Sequence, residues 1–349
     1  MPASIEFSRI VVRATNWLGD AVMSLPALRS ISEQFPGVHI AVQAMPWVAD
    51  LYAREKFPSE IILYNARRGA SDWKGKWRAA RRLRAGRFDC AILLTNSFDS
   101  ALICRLAGIP RRIGYDRDGR GLLLTDRVRP PAPGETPRHE RYYYLELLRR
   151  AGIIEALPEI NEIRLDAAGE ARVAGEQRCA EAGLSGPVIG VSPGAAYGGA
   201  KRWLPERFAE AAALVAAAVD GSVAVFGSKD ERPVAELVME GLRARGCAAR
   251  NFAGETTLRE YIDLAAACRL FLTNDSGAMH VAAALDVPTV AVFGSTDDVG
   301  TGPVSSRARV VREPVDCSPC LLRECPIDHR CMTRVPAERV AAEALELLK

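Results

Sequence analysis

Three short stretches carry the side chains best suited to chemistry, and each directly follows an apolar run of the chain. They offer a carboxylate that can take a proton from a hydroxyl, a lysine ammonium that suits a phosphate, and a helix start whose N–H groups favour an anion. The candidate residues are Asn16, Trp17, Gly19 and Asp20 in the first stretch, Gly194, Ala195, Ala196 and Lys201 in the second, and Asn274, Asp275, Ser276, Gly277, Met279 and His280 in the third.

The first stretch turns from a loop into a helix that we predict over residues 21–34. Asp20 stands at that turn, where it could cap the free backbone N–H groups of the helix. Alternatively, its carboxylate is a general base that removes a proton from an acceptor hydroxyl. One aspartate does not decide between the two interpretations, and both stay open.

The second stretch is a loop rich in glycine and alanine that leads to Lys201. Glycine lets the backbone approach a ligand closely, and the lysine supplies a compact positive charge for a phosphate. The loop lacks the GxxxxGK[ST] pattern, so it is not a P-loop, and it lacks GxGxxG, which disfavours a nicotinamide dehydrogenase. The alternative to a phosphate loop is an ordinary turn.

The third stretch ends a predicted strand and opens a helix of small residues. A phosphate or a sugar can bind at such a helix start, where Asn274 and Asp275 can bind hydroxyls and Ser276 can donate to a phosphate. The alternatives are that Asp275 is a cap and His280 a satisfied core histidine. The density of polar residues favours the ligand site.

Short apolar runs alternate with longer amphipathic ones along the whole chain, which predicts βαβ units and parallel sheets. Because ligands bind at the carboxyl ends of such strands, the three stretches stand where a site is expected. The predicted strands are residues 9–14, 39–44, 61–64, 90–95 and 112–115, then 188–192, 223–227, 270–273 and 289–293. The predicted helices include residues 77–87, 205–219, 233–245, 258–267, 278–285 and 337–348.

This pattern predicts an α/β chain of two doubly wound, Rossmann-like domains, residues 1–160 and 161–349, joined by a linker near 157–165. A length of 349 residues with 48% hydrophobic and 26% charged residues fits an ordinary globular protein of about two domains and excludes a disordered class. We find no run of about 18 apolar residues and no signal peptide in the first twelve residues, so we expect a cytoplasmic protein.

The net charge of +3 hides two unequal halves. Residues 1–165 carry 26 Lys and Arg against 18 Asp and Glu, whereas residues 166–349 carry 20 against 25. Nine of the basic residues fall in the segment 67–87, with Trp73 and Trp77 among them. A solvated helix face is one interpretation and contact with an anionic lipid surface is the other. Nucleic acid is disfavoured because no supporting module is present.

Residues 16–28, 193–195, 201–203 and 274–280 together resemble glycosyltransferase family 9, with the likeness running over most of the chain. The resemblance implies a GT-B architecture, with two Rossmann-like domains facing a cleft. It implies an acceptor on the N-terminal side and a nucleotide sugar on the C-terminal side. The implied reaction is an inverting transfer of L-glycero-D-manno-heptose from ADP-heptose to the first heptose of the lipopolysaccharide inner core.

The resemblance also implies roles for individual residues. Asp20 matches the family's proposed base, and Lys201 matches its diphosphate contact. Ala195 and Ala196 stand where some relatives place hydroxyl residues, so backbone N–H groups would replace those hydrogen bonds. No metal is expected to be required, since Lys201 and the helix start can carry the diphosphate charge. The remaining matches are Gly194, Asn274, Asp275, Ser276, Gly277, Met279 and His280 toward the donor, and Asn16, Trp17 and Gly19 toward the acceptor.

The implied partners are ADP-heptose and lipid A bearing Kdo and one heptose, with peripheral contact on the inner face of the inner membrane. The alternatives are another ADP-sugar glycosyltransferase of the same family, a nucleotide-sugar epimerase of similar fold, and a binding protein without catalysis. Transfer to an acceptor that requires Asp20 would distinguish a glycosyltransferase from the epimerase and from the binding protein.

Four of the nine cysteines cluster near the C-terminus as Cys317-x2-Cys320-x4-Cys325-x5-Cys331. This spacing resembles a zinc-ligand set, but its middle interval does not match a common zinc motif. A structural zinc ion is therefore one alternative, and reduced cysteines in an ordered loop are the favoured one. A cytoplasmic setting disfavours stable disulfides.

Overall fold

The computed structural model describes residues 7–66 and 72–349, and the chain divides into two compact units, Met1–Ile160 and Asn161–Lys349. Each unit is built on one six-stranded parallel sheet. In the first unit the strands are β1 Arg9–Arg13, β2 His39–Ala44, β3 Glu60–Leu63, β4 Cys90–Leu93, β5 Arg111–Tyr115 and β6 Asp126–Val128. In the second they are β7 Val188–Ser192, β8 Ser222–Val225, β9 Ala249–Asn251, β10 Leu270–Asn274, β11 Thr289–Phe293 and β12 Ala308–Arg312.

The two sheets share one topology. The first has the order β3-β2-β1-β4-β5-β6 and the second β12-β11-β10-β7-β8-β9. Counted from the first strand of each unit, both orders read 3-2-1-4-5-6, the doubly wound arrangement. The order reverses between the first and fourth strands of each unit, so the loops after β1 and β7 lie at the switch point where such folds bind ligands.

Helices connect successive strands and cover the sheets. In the first unit they are α1 Leu18–Gln34, α2 Pro46–Tyr52, α3 Trp73–Ala85, α4 Phe98–Ala107 and α5 Glu140–Arg150. In the second they are α6 Ala168–Glu181, α7 Pro205–Ala218, α8 Arg232–Ala244, α9 Leu258–Ala266, α10 Gly277–Ala284, α11 Asp298–Thr301, α12 Arg330–Thr333 and α13 Ala337–Glu346. No helix of the described residues is both long and apolar enough to cross a bilayer.

The central strands form because their Val, Ile, Leu and Ala side chains are buried on both faces of a covered sheet. The predicted bounds of β2, β7 and β11 match the structure, and helix α1 begins three residues before its predicted start. The structure adds β6, β9 and β12, three strands that lie at sheet edges and that the apolar pattern did not predict.

The core of the second unit holds the loop that precedes α7. Trp203 is fully buried within a cluster of apolar residues from β7, α7, β10 and α13. Its indole N–H donates to the Val335 carbonyl at 3.1 Å, and its ring packs edge-on against Phe208. Because Trp203 follows Lys201 by two residues, this anchor fixes where the lysine backbone can lie.

Candidate functional site

Asp20 lies inside α1 rather than at its cap. The N-cap position is taken by Trp17, which makes no side-chain capping bond, and Asp20 is an acidic residue of the first helical turn. The interpretation of Asp20 as an N-cap is therefore wrong, although its charge still complements the helix dipole. Asp20 is half-buried in the first turn of α1, which follows the loop after the carboxyl end of β1.

The loop that leads to Asp20 is held by two side chains that the sequence analysis did not single out. The guanidinium of the buried Arg13 donates to the Ala14 carbonyl at 2.6 Å and to Asn16 Oδ1 at 2.9 Å. The indole N–H of Trp47 donates to the Asn16 carbonyl at 2.8 Å. Both hydrogen bonds to Asn16 therefore stabilise the loop conformation. Trp17 is 62% exposed, so its side chain is accessible to an acceptor.

A second carboxylate faces the charge of Asp20. Glu140 opens helix α5, which packs against α1 within the first unit. Burial, together with the negative charge of Asp20, raises the pKa of Glu140 to about 7, and the Arg117 guanidinium opposes this shift. Near neutral pH Glu140 therefore holds a proton part of the time. Asp20 is the carboxylate that the family resemblance implies as the general base. Glu140 could not be predicted as a site residue from the sequence, because it lies 120 residues from Asp20 and looks like an ordinary helix start.

In the second unit, the strand ends bring Lys201 and Asp275 together. Lys201 Nζ lies 2.6 Å from Asp275 Oδ2, with 14% and 5% of the two side chains exposed. The Thr296 hydroxyl donates to the same carboxylate oxygen at 2.5 Å. Thr296 follows β11 and was not predicted as a site residue. The three residues form one polar cluster at the carboxyl ends of the strands.

Asn274 has a different role from the predicted ligand contact. It is fully buried, its amide N–H donates to the Pro193 carbonyl at 2.7 Å, and its amide oxygen accepts from the Trp203 N–H at 2.9 Å. The side chain therefore ties both ends of the 193–203 loop to β10. This contact explains why the loop can present Lys201 beside Asp275.

Gly194 packs closely against the side chain of Glu231. A Cβ at Gly194 would stand 2.2 Å from the carboxyl carbon of Glu231, a residue that the sequence analysis did not single out. Ala195 is buried and Ala196 is exposed, so of the two only Ala196 presents its side chain to solvent. The Arg202 guanidinium donates to the Ala195 carbonyl at 3.3 Å.

The remaining predicted donor residues lie at the start of α10, where some are half-buried and others are fully buried. Ser276 and Gly277 are half-buried at the helix start, and the Ser276 hydroxyl lies 3.3 Å from the Thr273 hydroxyl. Met279 is fully buried against Ala291 and Phe293, so its prediction as a donor contact is wrong and it is a core residue. His280 is buried, with 4% of its surface exposed, and it interacts with another group of the protein. Ser276 and Gly277 are thus the members of this helix start open to a ligand.

The cysteine cluster does not form a metal cage. Within the described residues, no three His, Cys, Asp or Glu side chains are grouped closely enough to hold a metal ion. Cys317 is exposed and Cys331 is buried. Burial, followed by electrostatic interaction with Cys317, Cys325 and Cys320, raises the pKa of the Cys331 thiol. The structural zinc ion stays a prediction, and no chemical step is assigned to a metal there.

The basic segment is partly a packed helix and partly a charged face. Asp72 caps α3 by accepting from the Gly75 N–H at 2.9 Å, and Lys76 is buried against Asp99 at 2.6 Å. Arg84 donates to the Leu106 carbonyl at the end of α4. Arg67 and Arg68 lie outside the described residues. The exposed members are Trp73, Lys74, Trp77, Arg78, Arg81, Arg82, Arg84 and Arg87.

Two doubly wound units, with an acid after the first strand of one and a paired lysine after the first strand of the other, have the GT-B architecture of glycosyltransferases. The model of glycosyltransferase family 9 (heptosyltransferase) matches residues 76–330, and the chain belongs to that family.

Three relatives sharpen this assignment. Lipopolysaccharide heptosyltransferase 2 of Salmonella typhimurium is 36% identical over 313 residues, covering 87% of the chain and 88% of that protein. Lipopolysaccharide heptosyltransferase 1 of Pseudomonas aeruginosa is 26% identical, covering 97% of the chain and 98% of that protein. The solved structure of E. coli ADP-heptose lps heptosyltransferase II matches with a TM-score of 0.81 at 32% identity, covering 97% of the chain and 98% of that structure.

Proposed function

We propose that this chain transfers L-glycero-D-manno-heptose from ADP-heptose to the first heptose of the lipopolysaccharide inner core. The observation that carries the proposal is the 36% identity to a heptosyltransferase 2 over 87% of the chain. The placement of Asp20 and Lys201 after the first strand of each unit supports it. The family assignment also favours transfer over the epimerase and binding-protein alternatives.

On the donor side, the protein supplies positive charge to a leaving diphosphate. Lys201 and the N–H groups at the start of α10 are the groups suited to this, and the half-buried Ser276 can donate a further hydrogen bond. Donors that are already oriented stabilise charge as it develops on the leaving group. The chemistry therefore needs no metal, and we expect turnover to persist in a chelator.

On the acceptor side, Asp20 acts as the general base. It takes the proton of the acceptor hydroxyl while that oxygen bonds to the anomeric carbon of the heptose. The bond from that carbon to the diphosphate oxygen breaks at the same time, and ADP leaves with its electron pair. Attack from the face opposite the leaving group inverts the anomeric configuration. Glu140 supports this role, because its pKa of about 7, raised by burial and by the charge of Asp20, lets it hold a proton near neutral pH and so limits negative charge beside Asp20.

The reaction is tested by ADP release from ADP-heptose with two acceptors, one carrying Kdo and one heptose on lipid A and one lacking the heptose. We expect turnover only with the first. Asp20→Asn should lower kcat by about 100-fold or more, the usual contribution of a general base, and leave the Kd for ADP unchanged. Lys201→Met should weaken ADP binding. Equal turnover with both acceptors, or full activity in Asp20→Asn, would overturn the proposal.

We also propose that the exposed basic face of α3 binds the anionic lipid surface that holds the acceptor, on the cytoplasmic side of the inner membrane. Near such a surface each basic residue contributes about 1 kcal/mol. The test is sedimentation with phosphatidylglycerol vesicles. Arg81→Glu/Arg82→Glu should release the protein, whereas the matched control Arg172→Glu/Arg269→Glu on the second unit should not. Arg84 is left intact because it packs on α4. Equal sedimentation of both double variants would contradict the proposal.

A further inference from the structure

The cysteine-rich segment, residues 317–331, lies directly against the loop that presents Lys201. The Gly199 N–H donates to Glu324 Oε1 and the Ala200 N–H donates to the Arg323 carbonyl, both at 2.9 Å. The Tyr197 hydroxyl donates to the Leu321 carbonyl at 2.9 Å. Three of the four loop residues immediately before the lysine are therefore hydrogen-bonded to this segment.

The approach of the two segments is close enough to require glycine. A Cβ at Gly198 would stand 2.2 Å from the Arg323 carbonyl oxygen, and one at Gly199 would stand 2.4 Å from Glu324 Oε2. Contacts this short leave no space for any side chain at Gly198, because the Arg323 carbonyl belongs to the backbone. The cysteine-rich segment and the lysine loop thus fit together at backbone distance.

The same segment also contacts the other side of the polar cluster. The Leu321 N–H donates to the Ser295 carbonyl at 2.7 Å, and the Ser318 hydroxyl donates to the Gly294 carbonyl at 2.6 Å. Ser295 directly precedes Thr296, which donates to Asp275. The cysteine-rich segment therefore supports the loops of both Lys201 and Thr296.

Arg323 brings a second positive charge to the Tyr197 ring that Lys201 contacts. Lys201 Nζ lies 4.9 Å from the centre of the Tyr197 ring, and the guanidinium carbon of Arg323 lies 5.3 Å from the same centre. Arg323 is exposed, and no carboxylate of the described residues pairs with it. Lys201, by contrast, is paired with Asp275, so the pair carries almost no net charge.

We propose that the cysteine-rich segment is part of the donor site: Arg323 binds the diphosphate of the nucleotide sugar beside Lys201, and Tyr197 positions both cations. This inference rests on the proposed function. Asp275 offsets part of the charge that Lys201 offers, so the unpaired guanidinium adds positive charge for a leaving diphosphate. Arginine suits that task, since its planar fork binds two phosphate oxygens at once.

The test is the Kd of ADP and of AMP measured by titration calorimetry on the full chain. Arg323→Gln should raise the Kd for ADP by about 10-fold, as expected for one charge-assisted hydrogen bond. The Kd for AMP should change less, because AMP lacks the second phosphate. Arg323→Lys should recover part of the loss. Arg330→Gln is the matched control, because Arg330 belongs to the same segment but pairs with Asp328 at 2.9 Å.

A second pair of variants tests the positioning role of Tyr197. Tyr197→Phe keeps the ring and should bind ADP nearly as the wild type does, whereas Tyr197→Leu should weaken ADP binding with little change in AMP binding. Thermal midpoints of all variants are compared, because a purely structural role would lower the midpoint and weaken both nucleotides equally.

The outcomes separate this inference from the proposed function. If Lys201→Met weakens ADP binding and Arg323→Gln does not, the inference is refuted and the donor assignment stands. If neither variant alters ADP binding, the donor assignment of Lys201 fails as well. Equal loss of ADP and AMP binding in Arg323→Gln also refutes the inference, since a contact to the second phosphate cannot produce it.

Discussion

Replacing Glu140 by Gln should change how the stability of this protein depends on pH. The pKa of Glu140 is raised from an ordinary value of 4.5 to about 7, by burial first and by the charge of Asp20 second. A carboxyl group whose pKa is higher in the folded state contributes its full stability below about pH 4.5. That contribution is lost as the pH rises through 7. Glutamine cannot ionise, so the variant should not show this loss.

The size of the effect follows from the two pKa values. A difference between 4.5 and about 7, at about 1.4 kcal/mol for each pH unit, corresponds to about 3 kcal/mol. Glu140 is half-buried, and solvent around the carboxylate reduces this figure to about 2 kcal/mol. For a domain of this size, about 2 kcal/mol shifts the melting midpoint by about 4–8 °C. The Glu140→Gln variant should therefore melt that much higher than the wild type at pH 8, with the difference closing toward pH 4.5.

The assay is thermal unfolding of both proteins from pH 4.5 to 8.5 at constant ionic strength. Glu155→Gln is the control, because Glu155 is exposed in the same unit and its replacement changes the formal charge equally. Asp20→Asn should narrow the difference, because it removes the charge that helps raise the pKa of Glu140. A Glu140→Gln midpoint that differs from the wild type by the same amount at every pH would refute the reasoning.

Three further outcomes are expected. Asp275→Asn should lower the free energy of unfolding, measured in urea, by about 2–3 kcal/mol, because it leaves a mostly buried lysine without its partner. Adding Lys201→Met should restore part of that loss. An absence of recovery in the double variant would contradict the pairing. Gly194→Ala should weaken ADP binding and lower the melting midpoint, since its Cβ would overlap Glu231, and an unchanged Kd in a calorimetric titration would count against this packing. Purified protein should contain far less than one zinc ion per chain by mass spectrometry; stoichiometric zinc would show that the cysteine-rich segment rearranges around a metal.

Much of the fold is predictable because buried parallel strands leave a continuous apolar signal. β2, β7 and β11 lie inside their sheets, are buried along nearly their whole length and carry a mostly apolar sequence. β6, β9 and β12 were missed because an edge strand pairs on one side only, and its exposed positions carry arginine or other polar residues. The predicted start of α1 was three residues too late, because Trp17 at the N-cap has no capping side chain that would mark the start in the sequence.

Site residues could be predicted where their position depends only on the ends of the strands. They could not be predicted where their position depends on side-chain packing. Asp20, Lys201 and Asp275 follow buried strands, and parallel topology brings such positions to one edge of each sheet. Strand ends do not show which way a side chain turns, so Asn274 and Met279 were placed on the ligand although they point into the protein. Glu140 becomes visible only when α1 and α5 pack, since no local periodicity links residues 120 positions apart.

The pairing of Lys201 with Asp275 makes anion recognition a competition between counter-ions. An arriving phosphate does not meet a bare cation; it must replace a carboxylate that already lies 2.6 Å from the ammonium. A singly charged anion offers the ammonium no more charge than the carboxylate it would displace, whereas a diphosphate brings several negative charges. If the proposed donor site is right, the pair therefore favours ligands by the charge that they bring to one point rather than by their shape.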